Sequence, residues 1–163
     1  MEQKELNFIV LTNAYGGPLP PKDVSLFYYD ICFDHATGNT FVYEWTKEIQ
    51  DFLDGNGIVI DDCPENAIPQ SFENNKIFFS LVKSDENNKA AAFFRHLRNS
   101  FSHFSIGYNG DYICMEDHEA FGNYRPTMRG KINYKLFEEI ISIFFKQKAA
   151  AEEEYNKILY PDI

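Results

Sequence analysis

The sequence predicts a mainly α-helical bundle with one small β-hairpin inserted before its last helix. Apolar residues recur at three- and four-residue steps through residues 40–53 and again after Tyr134, the spacing of one buried helix face. Asn109-Gly110 separates two short apolar runs, the strongest short-range hairpin signal a sequence carries. At 163 residues the chain is read as a single domain spanning 1–163, long enough to bury a core without disulfide or metal staples.

The elements follow in order. Residues 6–11 (LNFIVL) form a short apolar run, either a strand or a helix start. Gly-Gly and Pro-Pro pairs in residues 13–21 forbid regular structure. Asp23 offers an N-cap for an aromatic helix through about Phe33, and residues 35–39 break it. Phe41, Trp45, Ile49 and Phe52 mark one face of a helix over residues 40–53. Residues 55–70, with two glycines and two prolines, read as a loop-rich connection. A further helix is expected over residues 72–82. Ser84 followed by Asp85 and Glu86 then starts a helix running to about His103. Residues 104–108 and 111–116 flank the Asn109-Gly110 turn, and a third extended piece covers residues 127–132. The last helix begins at Asn133 or Tyr134. Its wide apolar stripe is Leu136, Phe137, Ile140, Ile141, Phe144 and Phe145, and Ala149-Ala150-Ala151 with the glutamates after them prolong it toward Tyr155.

Composition narrows the class. Sixteen Phe and ten Tyr predict a core dominated by ring packing. No apolar run approaches the ~20 residues that span a bilayer, and the charged start Met1-Glu2-Gln3-Lys4-Glu5 leads into no signal-peptide core, so a cytoplasmic protein without membrane partners is expected. Cys32, Cys63 and Cys114 are odd in number and widely spaced, which favours reduced structural thiols over a disulfide framework or a zinc site. Net charge is −10, which argues against a long non-specific nucleic-acid binder. Yet residues 87–110 and 120–137 contain no Asp or Glu. They hold Lys89, Arg95, Arg98, Arg125, Arg129, Lys131 and Lys135, so one locally positive face is expected on an acidic protein.

One segment concentrates the chemistry: Arg95-His96-Leu97-Arg98-Asn99-Ser100-Phe101-Ser102-His103. Burying so many polar groups is costly unless each finds a partner, so the segment either builds a specific internal network or lines a site. At ~100° per residue, Arg95, Asn99 and His103 share one face of the helix, and Arg98 and Ser102 form a neighbouring row. Arg98 and His103 diverge by ~140° around the axis and approach only if the helix frays at His103. Arginine can hold a phosphate and histidine can move a proton near neutral pH. His96 points away from the Arg98 row and reads as an ordinary helix residue.

Arg98-Asn99-Ser100-Phe101-Ser102-His103 resembles the motif of the HEPN superfamily, an arginine, a following polar residue that is often asparagine, and a histidine after four to six intervening positions. The resemblance covers roughly residues 86–146, including the hairpin and the Gly130-Lys131-Ile132-Asn133 segment. It implies a helical bundle that pairs as a homodimer with its two motifs face to face. It also implies a metal-independent endoribonuclease of the toxin–antitoxin or phage-defence type, with RNA as substrate and a cognate antitoxin or another protein as partner. Carried over, His103 is the general acid or base, Arg98 the phosphate clamp and Asn99 the orienting residue, with no cofactor and no metal. RNA supplies its own nucleophile, the 2′-hydroxyl. Around that motif, Arg95 and Ser102 are candidate substrate contacts and Tyr108 a candidate stacking residue, beside the plainer expectation that hairpin aromatics pack on the helices. The alternative from another class is a catalytically inactive module of the same family that binds a protein partner or a nucleotide through this face.

Other candidates are weaker. His118 stands among Glu116, Asp117 and Glu119, but without HxxxH or HExxH spacing it reads as a solvated acidic turn rather than a metal cluster. His35 beside Asp34 is a loop pair, Gly16-Gly17 lacks the context of a phosphate loop, and Trp45 belongs to the core.

Overall fold

A computed structural model describes residues 43–81, 88–103, 105–119 and 122–162. The elements expected over residues 6–33, the Gly16-Gly17 and Asp34-His35 pairs, and Cys32 lie outside the described residues.

Helix α1 (Lys47–Gly55) starts where Thr46 Oγ1 accepts the Ile49 amide at 3.4 Å, and it buries Ile49 and Leu53. Strand β1 (Val59–Asp62) follows. A single 3-10 turn, Glu65–Ala67, precedes β2 (Lys76–Phe79). Helix α2 (Lys89–Ser102) is capped by Asn88, whose Oδ1 accepts the Ala91 amide at 2.9 Å. Then come β3 (Ile106–Asn109), β4 (Tyr112–His118), β5 (Pro126–Asn133) and helix α3 (Tyr134–Leu159). The strands form one mixed sheet in the order β1-β2-β5-β4-β3, with β1 and β2 parallel and all other neighbours antiparallel.

The chain is therefore not the mainly α bundle that the sequence predicts. Two departures make the difference. Residues 76–79 form β2 where a helix was expected, and residues 59–62 form β1 inside the expected loop. In Lys76-Ile77-Phe78-Phe79 the buried positions alternate, Ile77 and Phe79 inward, which is the period of a strand. Four residues cannot establish a helical period, so only the pairing of β2 with β1 on one side and β5 on the other decides the conformation. The hairpin is consequently not an isolated insertion. Through β5 it joins a five-stranded sheet. A hairpin forms here, but its turn is shifted by one residue: Asn109 belongs to β3 and pairs with Tyr112, so the two loop residues are Gly110, at φ 61, and Asp111.

Helix boundaries shift for local reasons. Among the residues expected as its first two turns, 43–46 are not helical; Glu44 is held there by Gln147, which accepts its amide and donates to its carbonyl, both at 2.9 Å. The last helix runs on to Leu159, past the expected end near Tyr155.

Along β4 and β5 every second residue is buried, and these residues share a face with Ile77, Phe79 and Ile60. The helices pack on that face, giving two layers around one core. Rings dominate it, as expected. Tyr43 stacks on Phe94 at 4.3 Å between centroids, and Phe94 meets Phe144 edge-on at 4.9 Å. Each such pair contributes about 0.5–1.5 kcal/mol beyond its burial. Trp45 lies at the edge of this core, its Nε1 donating to Gln50 Oε1 at 3.0 Å and Lys89 Nζ lying 4.3 Å from its ring centre.

Candidate functional site

The polar segment singled out in the sequence is the second half of α2, and the structure divides it by face. His96 and Ser100 lie on the buried side with Phe93 and Leu97, against the ends of β2 and β4. There His96 and Asp117 are 3% and 5% exposed, and His96 Nδ1 donates to Asp117 Oδ2 at 2.7 Å. His96 Nε2 lies 2.7 Å from the Ser80 carbonyl. Both ring nitrogens thus face an oxygen acceptor. Arg95 Nη2, which can only donate, also lies 3.3 Å from Nε2. Ser100 Oγ stands 2.9 Å from the His96 carbonyl and 2.8 Å from the Glu116 carbonyl, and can donate its one hydrogen to either.

Asp117 is the hub. Its Oδ2 also accepts from Asn99 Nδ2 at 3.1 Å, and its Oδ1 accepts the His118 amide at 2.9 Å. Burial pushes the carboxyl up, but the hydrogen bonds from His96 and Asn99, the facing imidazole and the His118 amide outweigh it and hold the group below the usual carboxylate range.

The exposed end of the segment is His103, in the turn that follows α2. Its amide donates to the Asn99 carbonyl at 3.0 Å, and the Ser105 amide donates to the Ser100 carbonyl at 3.0 Å. The Glu116 amide then donates to Ser105 at 2.9 Å, which stitches the turn to β4. Arg98 lies on α2 between His96 and Asn99; its side chain and that of Ser102 fall outside the described residues, as does Phe104. Of the expected site residues, the structure thus brings the Asn99 and His103 backbones together at the end of α2. Arg95 is half-buried beside His96. Tyr108 is on β3 opposite Ile113, packed against the core, with its hydroxyl buried and burial pushing its pKa up.

Two expectations about this region are corrected. His96 is not an ordinary helix residue but the centre of a buried network. The segment around His118 is not a solvated turn: residues 116–118 belong to β4, Asp117 faces the core, and Glu116 receives Arg129 Nε at 2.7 Å and lies 3.3 Å from His118 Nε2. The sequence did carry a signal for both. His96 shares the helix stripe of Phe93, Leu97 and Ser100, and Asp117 continues the alternation Ile113, Met115, so each is a polar group at a core position.

The acid-free windows do not translate directly into a positive face, because other elements bring in carboxylates. Lys89 Nζ pairs with Asp61 at 3.0 Å and Arg129 with Glu116, while Lys131 Nζ lies 5.0 Å from the Tyr112 ring centre. Arg129 also donates to the Pro69 carbonyl. Cys63 and Cys114 are free thiols. Among the described residues, no three His, Cys, Asp or Glu side chains are grouped to hold a metal ion, and no helix is long and apolar enough to cross a membrane.

Compared with family models, curated proteins and solved structures, the chain has no match.

Proposed function

We propose that this chain cleaves RNA without a metal, using groups at the end of α2. The observation that carries the reading is the exposure of His103, in the turn that ends α2 and one turn beyond Asn99. Its neighbours in sequence carry no carboxylate, while β4 brings Asp117 to Asn99. The Arg98-Asn99-x-x-x-His103 spacing, similar to that of HEPN ribonucleases, supports the same chemistry. The similarity rests on the motif alone, since that family's helical architecture is not found here.

In the proposed reaction the RNA 2′-oxygen attacks the adjacent phosphorus and the bond to the 5′-oxygen breaks. The 2′-hydroxyl proton leaves to a base and the departing 5′-oxygen takes up a proton, giving a 2′,3′-cyclic phosphate and a 5′-hydroxyl. His103 serves as the base or as the acid in this exchange. The Arg98 guanidinium offsets the charge growing on the phosphoryl oxygens, and Asn99 orients the reacting groups. A cytoplasmic location fits such an enzyme.

The second reading, a non-catalytic module that binds a protein or nucleotide, is compatible with the same geometry, in which Asp117 engages the Asn99 carboxamide. The two readings separate on incubation with a mixed-sequence single-stranded RNA. Cleavage by the wild type that disappears in folded His103→Ala and Arg98→Ala proteins supports the enzyme. Wild-type protein that leaves diverse RNAs intact, or His103→Ala with equal activity, rejects it.

A further inference from the structure

We propose that Asp117 is a positioning residue for the α2 site, acting through Asn99; this rests on the RNA-cleaving reading. Two short links connect it to the exposed histidine. Asp117 Oδ2 holds Asn99 Nδ2 at 3.1 Å, which ties the carboxamide to β4. The Asn99 carbonyl in turn accepts the His103 amide at 3.0 Å, so the turn bearing the imidazole hangs on the residue that Asp117 grips. His96 completes the grip by donating to the same carboxylate oxygen one helical turn earlier at 2.7 Å, with its far nitrogen anchored on the Ser80 carbonyl of the neighbouring strand end. Donors at positions 96 and 99 on one oxygen fix the rotation of α2 about its axis as well as its distance from the sheet.

Stability alone gives little reason for this arrangement. Asp117 continues the inward series Ile113 and Met115, where an apolar side chain fits the pattern. Exchanging a buried hydrogen-bonded pair of titratable side chains for packed apolar residues is often neutral or stabilising. What an apolar pair cannot do is orient the Asn99 carboxamide. A bond aimed at a side chain next to the reacting groups is the means by which a residue that never touches substrate controls geometry at the site.

The test is a double-mutant cycle with Asp117→Asn and Asn99→Ala, measuring kcat and KM on a mixed-sequence single-stranded RNA together with the melting temperature. Asp117→Asn lowers kcat on the order of tenfold to a hundredfold with KM little changed. In the Asn99→Ala background the same change leaves kcat where Asn99→Ala alone put it, while the melting temperature still falls. That separation is what a merely structural role does not produce. If Asp117→Asn does not fold, His96→Gln takes its place in the cycle with the same expectations. Unchanged kcat, or effects that simply multiply across the cycle, overturns the inference while wild-type cleavage abolished by His103→Ala leaves the RNA-cleaving reading standing. A wild type that cleaves no RNA removes both.

Discussion

His96 Nδ1 and Asp117 Oδ2 meet at 2.7 Å in the interior, where both side chains are almost fully covered. The pair joins α2 to β4, and its second nitrogen reaches β2 through the Ser80 carbonyl. Removing one partner strands the other, so His96→Ala or Asp117→Ala is expected to cost about 3–5 kcal/mol in a urea titration. The double alanine variant should cost clearly less than the sum, since the second deletion removes an already orphaned group. Additive costs would mean that the two groups do not act as a pair.

The same carboxylate sets a pH dependence. Its folded pKa is lowered, so on acidification the unfolded chain takes up the proton first and stability rises with pH between the two values. The stabilisation is fully present above the ordinary carboxylate pKa of about 4 and is lost as pH falls through the lowered folded value. The urea midpoints of wild type and Asp117→Asn should therefore lie apart near neutrality and converge in acid. A constant gap down to about pH 2 would contradict this assignment.

Gly130 and Ile77 face one another across β5 and β2 at the centre of the sheet. A Cβ at position 130 would come within 2.5 Å of Ile77 Cγ1 and 2.9 Å of its Cβ, atoms too close to the backbone to swing aside. Gly130→Ala is expected to cost about 1–3 kcal/mol by overpacking. In an Ile77→Ala background the same change should cost less, because the contacts with Cγ1 and Cγ2 are removed and only the one with Cβ remains. Calorimetric melting of the four proteins reads this directly.

Helix α3 leaves β5 without a loop, and Asn133 makes the transition. Its Oδ1 accepts the amides of Lys135 at 3.0 Å and Leu136 at 3.2 Å, while its own amide donates to Asn75 Oδ1 at 2.9 Å. Asn133→Ala should destabilise by about 1 kcal/mol, and Asn133→Ser, which keeps a capping oxygen, by a fraction of that. Equal losses in thermal melts would show that the cap contributes nothing.

How much of this was readable in advance depended on length and on which signals are local. Helices α2 and α3 carry enough residues for a 3.6-residue period to declare itself, and Asn109-Gly110 marks a turn whose geometry demands a residue at positive φ. Strands β1 and β2 are four residues each, and β1 sits among the glycines and prolines of an apparent loop. Nothing within them says that residue 60 pairs with residue 77 and residue 77 with residue 130. The candidate site was legible only in part. Asn99 and His103 do share a helix face at i and i+4, but the partner that engages Asn99 comes from a strand eighteen residues away. Asp117 stands among the charged residues Glu116, His118 and Glu119, which mask its place in the inward series of β4, and His96 stands between two arginine-bearing positions, Arg95 and Arg98, although its own stripe is that of Phe93 and Leu97.

The most direct measurement is the end-group chemistry of RNA incubated with the purified protein in the presence of EDTA. The account predicts fragments carrying 2′,3′-cyclic phosphate and 5′-hydroxyl ends, formed by the wild type and absent with His103→Ala. Fragments with 3′-hydroxyl and 5′-phosphate ends, or RNA left whole by the wild type, would contradict it.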